Sequence, residues 1–201
     1  MHISEGVLSG PVLISGGALA AVGTAIGLKK LDYDRIAQAG ILSAAFFVAS
    51  LIHVPIGPAN AHLVLNGVVG LLLGWAAFPA ILVALVLQAV LFQFGGITAL
   101  GVNTIIMALP AVFCYFMCSP FLHKKSALAL TAAFACGFLS VALSALILAL
   151  ALVFTEENFF EVSAIVIAAH IPVMIIEGLV TAMCVAFLKK VQPSMLPGYF
   201  K

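Results

Sequence analysis

The 201-residue chain is 65% hydrophobic and only 7% charged, and its mean hydropathy is +1.30. A water-soluble domain of this size could not stay in solution with that composition, so the chain is predicted to be an integral membrane protein. The net charge of +1, with no basic run, gives no indication of nucleic-acid binding.

Long apolar runs predict the fold class. They have helical length and show no sustained alternation of apolar and polar residues, which favours an all-α bundle over a β-barrel. We expect about seven transmembrane helices in a single domain of residues 1–201. The spans on either side of Pro79 are short for a full crossing, so buried or re-entrant geometry is the alternative there. The expected spans are residues 7–28, 36–52, 62–78, 79–94, 104–122, 126–154 and 162–188.

The basic residues predict the orientation of the bundle. They follow the first, fifth and seventh expected spans and therefore share one side of the membrane. The positive-inside rule makes that side cytoplasmic, so we expect the amino terminus outside and the carboxyl terminus inside. The loops 53–61 and 95–103 and the acidic residues Glu156, Glu157 and Glu161 then lie outside. The basic residues are Lys29, Lys30, Arg35, Lys124, Lys125, Lys189, Lys190 and Lys201.

The first apolar run could be mistaken for a cleavable signal peptide, because Ala18-Leu19-Ala20 resembles a cleavage site. However, no basic residue precedes this run and two lysines follow it, which is the charge order of an uncleaved helix with its amino terminus outside. We therefore expect the amino terminus to be retained. Met1 is also expected to be kept, since its removal requires a smaller second residue than histidine.

The first two residues can chelate a metal ion. The α-amine of Met1, the backbone nitrogen of His2 and the Nδ1 atom of the His2 ring can reach one ion through fused chelate rings. These nitrogens lie nearly in one plane, which suits Ni(II) or Cu(II) better than tetrahedral zinc. Alternatively, His2 is simply the residue after the start codon. A fourth donor must come from elsewhere in the chain.

His62 is the natural fourth donor. It is expected on the outer side, like Met1, and neutral imidazole is a common ligand for nickel and related ions. We place His62 at the start of the third span, with Asn66 beneath it on the same helix face. As the alternative, His62 caps the helix and Asn66 bonds a neighbouring helix.

Other polar residues lie in or beside spans, where they are costly and therefore informative. The glycine-broken stretch 93–103 is expected to line a cavity, and it lacks the Lys-Ser or Lys-Thr of a phosphate-binding loop. His53 precedes a turn that contains two prolines, and it is expected either to pass the metal ion inward or only to contact lipid headgroups. Glu177 and His170 lie roughly on one helix face. They suggest a proton relay, a second metal-binding position, a contact with another subunit or a structural pairing with a neighbouring helix.

Four ordered motifs resemble a known family. They are the start Met-His-Ile with Glu5-Gly6, the run 62–67 (HLVLNG), the segment 95–104 (GGITALGVNT), and His170-Ile171-Pro172 with residues 177–181 (EGLVT). Together they look like the nickel/cobalt substrate-binding component of energy-coupling-factor ABC transporters. The chain departs from that pattern at Asn60-Ala61, where relatives often carry hydroxyl residues, and at Phe94, where they often carry histidine, so the hydrogen bonding of the loop is expected to differ.

The resemblance implies a seven-helix protein in the cytoplasmic membrane of a prokaryote that captures Ni(II) or Co(II) outside the cell. It implies Met1, His2 and His62 as the metal ligands. It also implies partners, which are a transmembrane coupling protein, two cytoplasmic ATPases that would supply the energy and, in some systems, a small accessory membrane subunit. The metal is cargo, and neither a cofactor nor an enzymatic activity of the chain itself is expected.

The sequence therefore predicts high-affinity capture of Ni(II), preferred over Co(II), by one subunit of an importer. The main alternative is a stand-alone secondary transporter coupled to protons through Glu177 and His170, which predicts uptake without any ATPase. A membrane metallohydrolase is disfavoured, because the His-Glu-x-x-His motif is absent. The residues expected around the metal or along its path, besides the three ligands, are Asn66, Asn103, His53 and Glu177.

Overall fold

A computed structural model describes residues 1–51, 53–56, 59–156 and 159–197, with the backbone alone described at 53–56 and 59–61. These ranges contain seven α-helices and one β-hairpin, joined by short 3-10 turns and loops. The helices are α1 (Gly10–Lys29), α2 (Ile36–Ala49), α3 (Asn66–Leu73), α4 (Ala77–Phe92), α5 (Leu100–Cys118), α6 (Ser126–Val153) and α7 (Phe160–Val191), and the hairpin strands are β1 (His53–Ile56) and β2 (Ala59–His62).

Within the described ranges, five segments are long and apolar enough to cross a membrane. The predicted helical membrane class is thus confirmed, but about seven crossings are not. The helix α2 has only 14 residues, and α3 and α4 together form one candidate segment of 27 residues. The five segments are Gly10–Lys29, Asn66–Phe92, Leu100–Phe121, Ser126–Val153 and Phe160–Val191.

The segment made of α3 and α4 folds back on itself. His62, just before α3, contacts His2, and His2 contacts Gln88 near the end of α4. A straight helix from residue 66 to residue 88 would be about 33 Å long, so its two ends could not meet at one side chain. The chain reverses at Gly74, whose backbone angles (φ 56°, ψ −126°) favour glycine. The spans predicted at 62–78 and 79–94 are therefore a short descending helix and a longer returning one, which agrees with the re-entrant alternative.

Two of the described basic side chains, those of Arg35 and Lys189, bond the backbone at the end of the bundle away from His2. Arg35 donates a hydrogen bond to the carbonyl of Leu72, at the bottom of α3. Lys189 of α7 donates to the carbonyl of Leu122, which follows α5. These two contacts lie at the same end of the bundle. The orientation of the bundle in the membrane stays a prediction, and Lys201 lies outside the described residues.

A β-hairpin occupies the segment that was expected to be an outer loop. Its strands β1 and β2 pair antiparallel, with His53 opposite His62 in the register. Each strand has only four residues, too few to show the alternation by which strands are recognised from sequence. The side chain of His53 lies outside the described residues, so the expectation about its role stays a prediction.

Candidate metal centre

The amino-terminal segment lies inside the bundle, where Met1, His2 and Ile3 are all buried. Asn103 holds this segment from α5. Its Oδ1 accepts a hydrogen bond from the backbone nitrogen of Ile3 at 2.9 Å, and its Nδ2 donates to the carbonyl oxygen of Ile3 at 3.1 Å. Both backbone groups of the residue after His2 are thus fixed. Asn103 does this from the first turn of α5, because that helix begins at Leu100 and not at residue 104 as expected.

The stretch between α4 and α5 covers the amino-terminal segment. The Glu5 carboxylate accepts a hydrogen bond from the backbone nitrogen of Thr98 at 3.3 Å. Glu5 is exposed, and its pKa is lowered chiefly by the Thr98 side chain, which bonds the ionised form. The chain can pass this close because Gly96, at φ 80°, has no side chain, and a Cβ there would overlap Glu5.

A relay of hydrogen bonds determines which nitrogen of the His2 ring carries the proton. The Ser50 hydroxyl donates to the Phe47 carbonyl, so its oxygen accepts from the Gln88 Nε2 atom. The Oε1 atom of Gln88 then faces the His2 ring and lies 2.5 Å from its Nε2 atom. Since an amide oxygen only accepts, His2 carries its proton on Nε2. The lone pair of the ring then lies on Nδ1, as chelation with the backbone requires.

His62 has the complementary tautomer. Its Nδ1 atom lies 2.8 Å from the carbonyl oxygen of Leu63 and must donate there, which leaves the lone pair on Nε2. Burial lowers the pKa of His62 to about 4, because a charged imidazolium would lose its hydration, and this cost outweighs the opposing effect of the Leu63 carbonyl. The ring is therefore neutral near pH 7 and available as a ligand.

The two lone pairs face each other. His2 Nδ1 and His62 Nε2 are 3.0 Å apart, with ring centroids 4.6 Å apart and ring planes inclined at 52°. Two acceptors at this separation repel unless a positive charge lies between them. Imidazole nitrogens bind metals at about 2.0–2.1 Å, and neighbouring donors in a square plane are then about 2.8–3.0 Å apart. The observed distance suits such a pair of ligands.

The other donors would have to be backbone nitrogens. Among the residues that the structure describes, no group of three or more His, Cys, Asp or Glu side chains is placed to hold a metal ion. The buried Met1 amine and the His2 amide precede the His2 ring in the chain and can complete a four-nitrogen set with the two imidazoles. Each imidazole also donates its other N–H to an oxygen, the usual support of metal-bound histidine.

The local setting of His62 differs from the expectation. His62 ends β2 and does not begin a helix, because Leu65 takes a left-handed conformation (φ 55°) and α3 begins only at Asn66. Asn66 accordingly does not lie beneath His62 on a helix face. It donates to the Ser144 hydroxyl at 3.0 Å and accepts from the Ser140 hydroxyl at 3.1 Å, both on α6. This is the neighbouring-helix alternative.

Glu177 and His170 are buried on α7 and bond to backbone atoms. Glu177 Oε1 accepts from the nitrogens of Val64 and Leu65 at 2.5 and 2.6 Å. His170 Nδ1 donates to the Val166 carbonyl at 2.6 Å. In the described part of the chain, Glu177 Oε2 and His170 Nε2 have no hydrogen-bond partner. The structure therefore brings Glu177 to the turn after His62 and shows no hydrogen bond between Glu177 and His170.

Sequence reasoning missed Gln88. It is the one polar side chain in α4 and is fully buried. A lone amide in an otherwise apolar membrane helix is costly, and this cost was the available signal.

A helical membrane bundle that gathers nitrogen lone pairs at one end defines a class, that of membrane proteins that handle transition metals. The chain matches the family model described as CbiM, cobalt uptake substrate-specific transmembrane region, over residues 2–195. It belongs to this family and is thus a metal uptake component of the CbiM/NikM type, a transport protein rather than an enzyme. The family resemblance predicted from the four motifs is confirmed.

Relatives agree with this assignment. A protein of Haemophilus influenzae provisionally named a metal transport protein is 38% identical over 199 residues, which are 98% of this chain and 97% of the relative. The cobalt transport protein CbiM of Sorangium cellulosum is 29% identical, covering 98% and 94% of the two chains. The fused nickel transport protein NikMN of Rhodobacter capsulatus is 42% identical over 54% of this chain and 33% of its own.

Solved structures show the same fold. The crystal structure of a truncated transition metal transporter superposes with a TM-score of 0.82 at 28% identity. The superposition covers 94% of this chain and 99% of that one.

Proposed function

We propose that the protein captures Ni(II), in preference to Co(II), as the substrate-binding subunit of an energy-coupling-factor importer. The ligands would be the Met1 amine, the His2 amide and Nδ1 atom, and the His62 Nε2 atom. One observation carries this proposal. The lone pairs of His2 Nδ1 and His62 Nε2 converge at 3.0 Å, while every other ring nitrogen of the pair is committed to a hydrogen bond.

Four nitrogen donors explain which ions would be captured. Mg(II) and Ca(II) prefer oxygen ligands and are excluded, and the nearly planar chelate of Met1 and His2 disfavours tetrahedral zinc. Planarity also supports nickel over cobalt. Cu(II) should compete, since the general affinity order places it above nickel.

The placement of charges supports the direction of capture. Arg35 and Lys189 bond the backbone at the opposite end of the bundle from His2, so the positive-inside rule would put the metal centre outside the cytoplasmic membrane and the carboxyl terminus inside. A buried ion at the outer end then needs an inward step. We assign its energy to two partner ATPases acting through a transmembrane coupling protein, in some systems with a small accessory subunit.

A second candidate is a stand-alone secondary transporter. It is favoured by one observation. Within the part of the chain that the structure describes, Glu177 Oε2 and His170 Nε2 on α7 have no hydrogen-bond partner, so a proton could bind there. Uptake of nickel by vesicles with and without the coupling proteins separates the two functions. Uptake by this chain alone, driven by a proton gradient, would overturn our proposal in favour of the secondary transporter.

The metal centre itself is tested at the amino terminus. Nickel binding is measured for the purified protein that begins at Met1 and for a version in which the Met1 α-amine is acetylated, after mass spectrometry of both termini. We expect about one nickel with a planar-type absorption band for the first and loss of both for the second, because an acetylated amine has no lone pair to donate. Equal binding by both proteins would show that the amine is not a ligand.

A further inference from the structure

We propose that Glu177 is a positioning residue for the metal centre, holding the turn that carries His62 and so setting the approach of His62 Nε2 to the ion. This inference rests on the proposed function, since it presupposes that His62 binds the metal. Glu177 would not touch the metal itself.

The contacts form a short path from α7 to the ligand. Glu177 Oε1 holds the backbone nitrogens of Val64 and Leu65 at 2.5 and 2.6 Å. The preceding residue, Leu63, accepts the Nδ1 proton of His62 on its carbonyl oxygen at 2.8 Å. The Val64 and Leu65 nitrogens, through which Glu177 holds the turn, are thus next along the backbone to the Leu63 carbonyl, which holds the His62 ring.

The turn needs such a clamp. Leu65 has a φ of 55°, a region that a leucine adopts only when its surroundings hold it there. The two amide groups also precede α3, where backbone N–H groups lack partners within the helix. A buried carboxylate satisfies both at once, and its negative charge suits the positive end of a helix dipole.

The rest of the proposed ligand set does not depend on Glu177. The amino-terminal segment is held by Asn103 of α5, and the His2 ring by Gln88 of α4. A shift of α7 against the bundle would therefore move the fourth donor while leaving the other three in place. Loss of Glu177 should therefore reduce nickel affinity as a poorly placed His62 ring would. It should not reduce it as loss of the chelate of Met1 and His2 would.

A double-mutant cycle tests this with Ni(II) as the probe and the full chain beginning at Met1. We expect Glu177→Gln to weaken nickel binding about tenfold, since the amide still accepts but without charge, and Glu177→Leu about a hundredfold, the range seen when supports of metal ligands are lost. In a His62→Ala background, Glu177→Gln should change the affinity less than about twofold, because its route to the metal is gone. Equal losses in both backgrounds would overturn the proposal.

Ser163→Ala is the matched control. Ser163 is also buried on α7, but its hydroxyl bonds the carbonyls of Phe159 and Ala149 and has no link to the His62 turn. Its nickel affinity should stay within about twofold of the parent.

Two further outcomes are decisive. A purely structural role for Glu177 would lower the melting temperature of metal-free Glu177→Gln while leaving the affinity and absorption band of the folded protein unchanged, which overturns the proposal. We expect instead that the band shifts in the direction seen for His62→Ala. If His62→Ala itself binds nickel at full strength, the proposed function fails. If His62→Ala weakens binding and Glu177→Gln does not, only the role of Glu177 fails.

Discussion

Two pairs of buried ionisable side chains differ in how their polar atoms are bonded. The first pair is His2 with His62, and the second is His170 with Glu177. In the first pair, outward hydrogen bonds to Gln88 and Leu63 leave two lone pairs that converge at 3.0 Å. In the second pair, each side chain bonds the backbone through one atom, and its other polar atom has no hydrogen-bond partner among the described residues. Burial alone therefore does not mark a ligand, and convergence of lone pairs on one point is the more specific sign.

The largest effect is expected from His2→Ala. It removes one of four donors and a chelate ring, and since four-ligand zinc sites contribute about 10–16 kcal/mol, one donor is worth about 3 kcal/mol, or at least about a hundredfold in nickel affinity. Isothermal titration or metal competition would measure the loss. His123→Ala is the control, because His123 is exposed and bonds Pro197. Nanomolar binding by His2→Ala would remove His2 from the metal centre.

Nickel affinity should fall steeply as the pH is lowered. Burial keeps the pKa of His62 at about 4, so above pH 5 this ring is already neutral and releases no proton on binding. Binding removes one proton from the α-amine and one from the His2 amide, so the affinity should decrease about a hundredfold for each unit by which the pH is lowered. The apparent dissociation constant is measured between pH 6 and 7.5. His62→Ala should weaken binding but keep this slope, and a shallower slope would show that His62 is protonated in the metal-free protein.

A smaller loss is expected for Gln88→Leu. The substitution removes the acceptor that holds the His2 Nε2 proton, so the ring can rotate or change tautomer, and nickel affinity should drop about ten- to a hundredfold. Ser43→Ala is the matched control, since it removes another contact between α2 and α4, to the Ala80 carbonyl, far from the ring. Equal effects of both variants would mean that Gln88 acts only through packing.

The smallest effect is expected for His170→Asn. Its Nε2 atom has no hydrogen-bond partner within the described ranges. Its Nδ1 atom bonds the Val166 carbonyl, so no described hydrogen bond connects the His170 ring to the turn that carries His62. Nickel affinity should therefore change less than about twofold. A loss as large as that of His2→Ala would erase the distinction between the two pairs and favour the secondary transporter.

Much of the proposed metal centre could be predicted from sequence because its first proposed donors are consecutive. Met1 and His2 would chelate through covalent neighbours, which needs no knowledge of the fold. His62 was reached by placing it on the same side as the amino terminus. Gln88 could not be assigned to His2, because a contact across 86 residues depends on how α4 returns after Gly74.

The fold was predictable to the same degree. Composition determined the helical membrane class, since hydrocarbon excludes charge wherever it occurs in the chain. The basic residues predicted an orientation, which stays a prediction. The hairpin at His53–His62 and the left-handed turn at Leu65 were not predictable, because four-residue strands and a single positive φ angle leave no periodic signal.

By itself, then, the sequence determined the membrane setting and the family, which follow from composition and from short motifs, and it predicted the amino-terminal chelate from adjacent residues. Only the tertiary structure decided that His62 ends a strand and does not begin a helix, and that Gln88 sets the tautomer of His2. It also decided that Glu177 holds the turn between His62 and α3. Each of these depends on hydrogen bonds between distant residues, whose geometry exists only once the helices have packed.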